Sequence, residues 1–317
     1  MSLIPHFKGH PLFRLSSELP IIGFARTALI ASGIAVVASL LLWAFVGLNF
    51  GVDFKGGSMI EVQAKSGVAD IGQLRSAVGG LGLGDIQIQA FGSERDVLIR
   101  VEQQPGGDKA QQQALSKVLA AIGDNYIQRR AEVVGPAVSG ELRTTGMIAV
   151  LCSIIAIILY VWFRFEWQFA VGAVVALTHD VLITVGVFSL LQLEFDLSTV
   201  AALLTILGYS VNDTVVVSDR IRENLRKFKK LEIAELLNRS INETLARTLM
   251  TSLTTLVVLV ALYILGGEVI RNFTFAMMFG VVIGTYSSIF IAAPLLAQLG
   301  VKRDWSGITR GSPAAAS

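Results

Sequence analysis

Six long runs of apolar residues dominate the pattern along the chain, at 27–50, 144–163, 169–191, 198–217, 248–266 and 273–299. Each approaches or exceeds the ~20 residues that a helix needs to cross the hydrocarbon core of a bilayer. The pattern predicts an α-helical polytopic membrane protein with six transmembrane helices. The first run is too long for the apolar region of a signal peptide, and no small-x-small cleavage site follows it between residues 49 and 57. It reads as an uncleaved anchor.

Between the first and second runs the period changes. Ile60, Val62 and Ala64 alternate with polar neighbours, as in a half-buried strand. Asp70 is placed to cap a helix with Ile71, Leu74, Val78 and Leu81 on one face. Ile86, Ile88 and Ala90 predict a second strand, and Val97, Ile99 and Val101 a third, with a turn at Gly92 and Ser93. Asp108 is placed to cap a second helix bearing Leu115, Val118, Leu119 and Ile122. Ile127, Arg129, Ala131 and Val133 predict a fourth strand. The order βαββαβ is that of a ferredoxin-like α+β unit, whose sheet covers one face with two helices. The free face then carries Met59, Glu61, Gln63, Gln87, Gln89, Arg100 and Gln128, a polar surface that is either wet or partnered.

Basic residues orient the chain. Arg220, Arg222, Arg226, Lys227, Lys229, Lys230 and Arg239 follow the fourth run. Lys8, Arg14 and Arg26 precede the first run, and Lys302, Arg303 and Arg310 follow the last. The opposite short loops hold only Arg271. Both termini are therefore expected in the cytoplasm. The expected division is a cytoplasmic segment 1–26, a first helix 27–50, an external α+β domain 51–143, helices two to six over 144–299 and a cytoplasmic tail 300–317. A basic segment at 218–246 reads as topological marking, with a charged surface helix and contact with anionic membrane lipid as a sharper alternative. Sequons at Asn238 and Asn242 fall on the cytoplasmic side and carry no glycosylation meaning there.

Composition removes several function classes. Charged residues make up 16% of the chain, against roughly 25% in soluble domains. With 26 bases and 24 acids, no bulk basic field invites nucleic acid. One cysteine, Cys152, excludes an internal disulfide. His6, His10 and His179 are too dispersed for a metal cluster, and no nucleophile–base set is visible. The run Gly80-Leu81-Gly82-Leu83-Gly84 lacks phosphate-loop spacing. Neither an enzyme nor a cofactor or metal site is expected.

Charge inside hydrocarbon is costly, so intramembrane ionisable residues are the functional candidates. His179 and Asp180 fall in the third run, and Asp213 in the fourth, beside Asn212 and a turn after Tyr209 and Ser210. Arg247 opens the fifth helix, and Thr251 and Thr254 continue its face at i+4 and i+7. Asp213 and Arg247 each lie about one turn from the cytoplasmic end, so they are expected to meet if their helices are neighbours. A carboxylate beside a fixed cation suits proton coupling. The bland alternatives are an arginine that snorkels to the interface, a static helix-holding carboxylate and a His179–Asp180 packing pair. Gly280-x-x-x-Gly284 reads as close helix contact.

Several motifs also resemble a known family. Gly51-Val52-Asp53-Phe54-Lys55-Gly56-Gly57 resembles the Gly-x-Asp-Phe-x-Gly-Gly signature of the SecD/SecF protein-export membrane proteins. The segments around Asp213 and Arg247, Thr178-His179-Asp180 and Gly284-Thr285-Tyr286-Ser287-Ser288 also match, in the family's order. One external domain on six helices suits the SecF branch better than the SecD branch.

The resemblance implies a bacterial inner-membrane subunit that pairs with SecD into a twelve-helix unit similar to resistance-nodulation-division transporters. It further implies association with the SecYEG channel and YajC, and use of the proton-motive force to help unfolded preprotein through late translocation. It assigns Asp213 and Arg247 to proton transfer, and Asp53, Gly56 and Gly57 to the junction of the first helix with the external domain. The rival readings are a proton-coupled small-molecule exporter of the resistance-nodulation-division type and a non-conducting scaffold subunit.

Overall fold

The structure, a computed structural model, describes residues 19–301. Lys8, Arg14, His6, His10, Lys302, Arg303 and Arg310 lie outside the described residues. The elements run α1 (Ile21–Phe45), β1 (Asn49–Phe50), α2 (Val52–Lys55), β2 (Gly57–Ala64), α3 (Ile71–Gly79), β3 (Ile86–Phe91), β4 (Ser93–Val101), α4 (Gly107–Ile122), β5 (Tyr126–Val134), α5 (Pro136–Arg164), α6 (Trp167–Leu191), β6 (Glu194–Phe195), α7 (Leu197–Lys227), α8 (Ile233–Leu265), α9 (Arg271–Ser287) and α10 (Ala293–Gln298). Among the described residues, six helices are long and apolar enough to span a membrane: α1, α5, α6, α7, α8 and the stretch formed by α9 and α10. The chain is a multi-pass membrane protein.

The α+β domain between α1 and α5 has the sheet order β3-β4-β2-β5, antiparallel throughout. Helices α3 and α4 cover one face. Ile60, Val62, Leu74, Val78, Val97, Ile99 and Val118 form its core. Each such aliphatic side chain contributes about 1.5–3 kcal/mol by leaving water. Asp70 caps α3, its Oδ1 accepting from the Gln73 N–H at 2.9 Å. Asp108 does not cap α4. Gly106 takes that position, and Asp108 sits in the first turn, where its charge still complements the helix dipole.

The fourth strand departs from simple alternation. Glu61 pairs with Arg130 but Val62 with Gln128, so Arg129 is an extra residue, a β-bulge. The bulge flips the side-chain order. Ile127 stands opposite Gln63 and is exposed, and Gln128 moves to the helix-covered side opposite Val62. Tyr126 packs on the core instead.

The spans also start and stop away from the apolar runs. The first helix begins at Ile21, behind Pro20, and ends before Gly47, whose φ of 77° is a left-handed stop. Asn49 and Phe50 form β1, which pairs in parallel with β6. The second span opens at Pro136, well before 144, because proline is well suited to the first helical position.

The basic segment 218–246 is not a separate surface helix. It is the ends of α7 and α8, joined by a short turn, with Ile221, Leu225, Leu236, Leu237 and Ile241 packed on Phe165, Phe169 and Leu296. Apolar residues at helical spacing persist there under a charged outer face. Asn238 and Asn242 have a structural role: Asn238 Oδ1 accepts from Ile21 N–H at 2.7 Å and Asn242 Oδ1 from Leu19 N–H at 3.0 Å. Together they cap the start of α1.

Candidate functional site

The four central spans share one layering. On α6, α7, α8 and α9 a cluster containing Phe188, Leu203, Ile206, Leu259 and Met277 lies toward the α+β domain. The cluster around Phe169, Ile221, Leu237 and Leu296 lies toward the opposite end. Buried polar residues occupy the level between: His179, Asp180, Thr184, Ser210, Asp213, Thr214, Thr248, Ser252, Ser287 and Ser288. With hydrocarbon on both sides of a span, burying apolar surface no longer drives helix association, and small residues set how closely helices approach. A Cβ on Gly280 would collide with Ile206, and one on Gly284 would come within 3.1 Å of Ser210. The glycine pair thus lets α9 lie against α7.

Asp180 is the hub of the layer. The His179 Nδ1 N–H donates to its Oδ1 at 2.9 Å. Its Oδ2 accepts from Ser210 Oγ of α7 at 2.6 Å and Ser287 Oγ of α9 at 2.8 Å. One carboxyl group therefore ties three helices. Thr214 Oγ1 and Ser288 Oγ, 2.9 Å apart, join α7 to α9 one level on. Ser252 Oγ and Thr285 Oγ1, 2.6 Å apart, join α8 to α9, and Tyr209 Oη donates to Ser252 at 3.4 Å. Tyr286 Oη pairs with Ser32 Oγ of α1 at 2.9 Å. Immediately after Ser287 the helix widens into a π turn over Ser288–Ala292. Pro294 has no N–H to give back to Phe290, which favours such a turn there.

Asp213 is buried, with 4% of its surface exposed, near the middle of α7. It does not lie one turn from a helix end, because α7 continues to Lys227. Nor does it form an ion pair with Arg247: none of the ion pairs within 4 Å among the described residues joins them. Arg247 is within electrostatic reach of Asp213 but exposed on the outer face of α8. Consecutive helical residues point about 100° apart. The packing of α8 turns Thr248 inward, which swings Arg247, Thr251 and Thr254 outward together. Thr251 and Thr254 bond back to carbonyls of their own helix. Asn212 is exposed on α7 in the same way. Of the residues expected beside Asp213, Ser210 serves Asp180 and Tyr209 reaches Ser252.

Thr248, Ser252, Thr285, Tyr286, Ser287 and Ser288 belong to the site without having been singled out as functional residues. The signal available for four of them was the run Gly284-Thr285-Tyr286-Ser287-Ser288. For Thr248 and Ser252 it was a serine and threonine stripe one residue out of phase with Arg247.

The junction motif forms a second locus. After α2, Gly56 and Gly57 adopt φ of 75° and 123°, and a Cβ on Gly57 would lie 2.5 Å from the Val101 carbonyl oxygen. Only glycine fits this turn from the bundle into β2. Asp53 Oδ2 accepts from the Leu197 N–H at 3.0 Å, and Asp196 Oδ1 from Thr199 N–H at 2.7 Å. Both carboxylates thus cap α7, the helix that carries Asp213.

The free face of the sheet looks onto this end of the bundle, across a cleft of about 540 Å³ lined by Met59, Glu61, Arg130, Asp53 and Asp196 among others. Arg100 of β4 crosses it to pair with Glu194. Burial holds the Glu194 carboxyl above its ordinary range. Arg100 opposes that, and the nearby Asp196, Asp53 and Glu132 reinforce it. Among the described residues no group of three or more His, Cys, Asp or Glu is arranged to hold a metal ion.

Two family profiles match the chain. Residues 114–302 fit the C-terminal part of the protein export membrane proteins SecD/SecF, and residues 41–68 fit the SecD/SecF GG motif. The protein translocase subunit SecF of Cereibacter sphaeroides is 46% identical over 302 residues, covering 92% of this chain and 93% of that protein. The chain belongs to the SecD/SecF family. The protein translocase subunit SecDF of Brucella abortus is 44% identical, over 89% of this chain and 38% of its own length. The crystal structure of SecDF, a translocon-associated membrane protein from Thermus thermophilus, superimposes with a TM-score of 0.80 at 38% identity. That match covers 92% of this chain and 40% of the SecDF chain, so this chain spans about two fifths of it. Residues 51–57 of the GG motif are those that turn the chain at the junction described above.

Proposed function

We propose that this chain works as a SecF-type subunit of the protein translocase, coupling proton movement through the membrane to late preprotein translocation. The observation that carries the reading is Asp213: a buried carboxyl at the polar level of the bundle, on a helix whose other end is capped by the junction motif. A proton gained or lost at Asp213 changes the charge of α7 at mid-depth. Through Asp53 and the Glu194–Arg100 pair, that helix is attached to the α+β domain. In this reading His179 and Asp180 hold the frame, and Asp213 is the group that titrates.

The partner reading follows from the outer surface. Asn212, Arg247, Thr251 and Thr254 are exposed on α7 and α8 at membrane depth. An arginine facing lipid at that depth is costly, so this face suits the helices of a second unit. The SecDF chains of Brucella abortus and Thermus thermophilus, in which this chain matches about two fifths, support SecD as that unit. SecYEG, YajC and the unfolded preprotein are the further expected partners. The basic residues from Arg220 to Arg239 lie at the end of the bundle opposite the domain. They support an inner-membrane orientation with both termini cytoplasmic and residues 51–143 periplasmic. Relatives named as translocase subunits favour this reading over a small-molecule exporter.

Energy bounds the coupling. One charge crossing 100 mV releases about 2.3 kcal/mol. Swinging a two-state element from 1:99 to 99:1 takes about 5.5 kcal/mol. One proton therefore biases a rearrangement, and a complete swing takes several.

The test is Asp213→Asn, co-assembled with SecD and SecYEG in inverted membrane vesicles. Preprotein chase should lose its dependence on the proton gradient while the subunit still accumulates. Export that stays gradient-dependent would leave the scaffold reading in place.

A further inference from the structure

The polar layer leaves few atoms unpaired. Three of its buried side-chain atoms close no hydrogen bond: His179 Nε2, Asp213 Oδ2 and Thr248 Oγ1. The last two face each other across the contact between α7 and α8. Asp213 and Thr248 are 4% and 1% exposed.

Thr248 is unusual on its own helix. A threonine in a helix ordinarily returns its hydroxyl to a carbonyl three or four residues back. Thr244, Thr251, Thr254 and Thr255 of α8 all do so. Thr248 makes no such bond, and its hydroxyl is turned off the helix toward Asp213. The other hydroxyls near Asp213 are committed elsewhere: Ser210 to Asp180, Thr214 to Ser288, Ser252 to Thr285.

The chemistry of the hydroxyl matters. It donates one hydrogen bond and accepts others, rotating to choose. It can donate to an ionised Asp213 and accept from a protonated one. The charged groups around Asp213 lack that range. Arg247 only donates, and Asp180 is filled by His179, Ser210 and Ser287. The Tyr209 hydroxyl is directed at Ser252, and that of Tyr286 at Ser32 and Ala28.

We propose that Thr248 is a positioning residue for proton exchange at Asp213, its hydroxyl reversing direction to satisfy the carboxyl in both protonation states. The proton itself passes between the Asp213 carboxyl group and solvent. No bond of Thr248 breaks, and only its O–H rotates. The inference rests on Asp213 being the group that exchanges protons.

The test reads the Asp213 carboxyl directly, in the full chain co-assembled with SecD in proteoliposomes. Infrared difference spectra against Asp213→Asn identify its band. In Thr248→Val, which keeps the shape and removes the hydroxyl, the protonated carboxyl should lose its hydrogen-bonded frequency shift. Its exchange with D₂O should slow about tenfold, the worth of one hydrogen bond to a charged group. Thr248→Ser should restore both. Thr248→Ala serves if the valine variant does not accumulate. Band and exchange unchanged in the variants without a hydroxyl would overturn the proposal. An Asp213→Asn protein that still exports with full gradient dependence would instead remove the coupling reading, and leave the spectroscopic result to stand by itself.

Discussion

Arg100, on the free face of the sheet, pairs with Glu194, in the link between α6 and α7. This ion pair spans the cleft between the α+β domain and the bundle, and three further carboxylates crowd it: Asp196, Asp53 and Glu132. Glu194 is held above its ordinary range while docked, and returns toward it when freed. The docked state therefore binds more protons than the free one. Docking is favoured at pH below the raised value and weakens as pH rises through it. Protease protection of the domain, followed against pH in the full chain, should fall in that direction. Arg100→Gln removes the opposing cation and should move the change to higher pH. Protection that grows as pH rises would contradict this assignment.

The turn at Gly57 tolerates no side chain. Gly57→Ala should cost more than the roughly 1–3 kcal/mol of a residue held in a left-handed conformation, because the methyl also meets the Val101 carbonyl. Gly67 has a φ of 69° and open space around it, so Gly67→Ala should cost only the conformational part. Thermal unfolding of the two variants in detergent separates the effects. Equal losses would mean that the close approach is immaterial.

Removing the hub should be a stability lesion before it is a functional one. Asp180→Ala removes the shared acceptor of His179, Ser210 and Ser287 in a buried layer, and should destabilise the bundle by about 1–3 kcal/mol for each donor left unpaired. Asp180→Asn keeps one of the two acceptor oxygens and should lose less. A melting temperature unchanged in Asp180→Ala would show that the three helices are held together by other contacts.

The caps on α1 give a milder prediction. Asn238→Ala and Asn242→Ala each remove an acceptor for N–H groups at the helix start, for about 1 kcal/mol each. Hydrogen exchange at Leu19 and Ile21 should accelerate, while exchange in the sheet stays as it was.

What could be read from the chain alone was local. Asp70 capping α3, the alternation that makes β2 and the apolar lengths of the spans depend on near neighbours in sequence. Alternation alone puts Ile127 on the core side, whereas the bulge at Arg129 is set by pairing with β2 and leaves no mark on β5 alone. The ends of α7 and α8 were hidden because a hydropathy run measures average composition. Ile221, Leu225, Leu237 and Ile241 are spaced among charges and disappear in the average. Asp213 was visible as a charge in an apolar stretch. Its neighbour was not, because the choice between Arg247 and Thr248 is a rotation of α8 that packing decides.

The central claim is that the protonation state of Asp213 is felt by the domain docked on its helix. Spin labels at Val68→Cys in the domain and Leu191→Cys at the end of α6, both exposed sites, report their separation once Cys152 is replaced by serine. The measurement is made in the assembly with SecD in proteoliposomes, with and without an imposed proton gradient. The account predicts a distance distribution that shifts with the gradient when Asp213 is present and stays fixed in Asp213→Asn. The same shift in both proteins would contradict it.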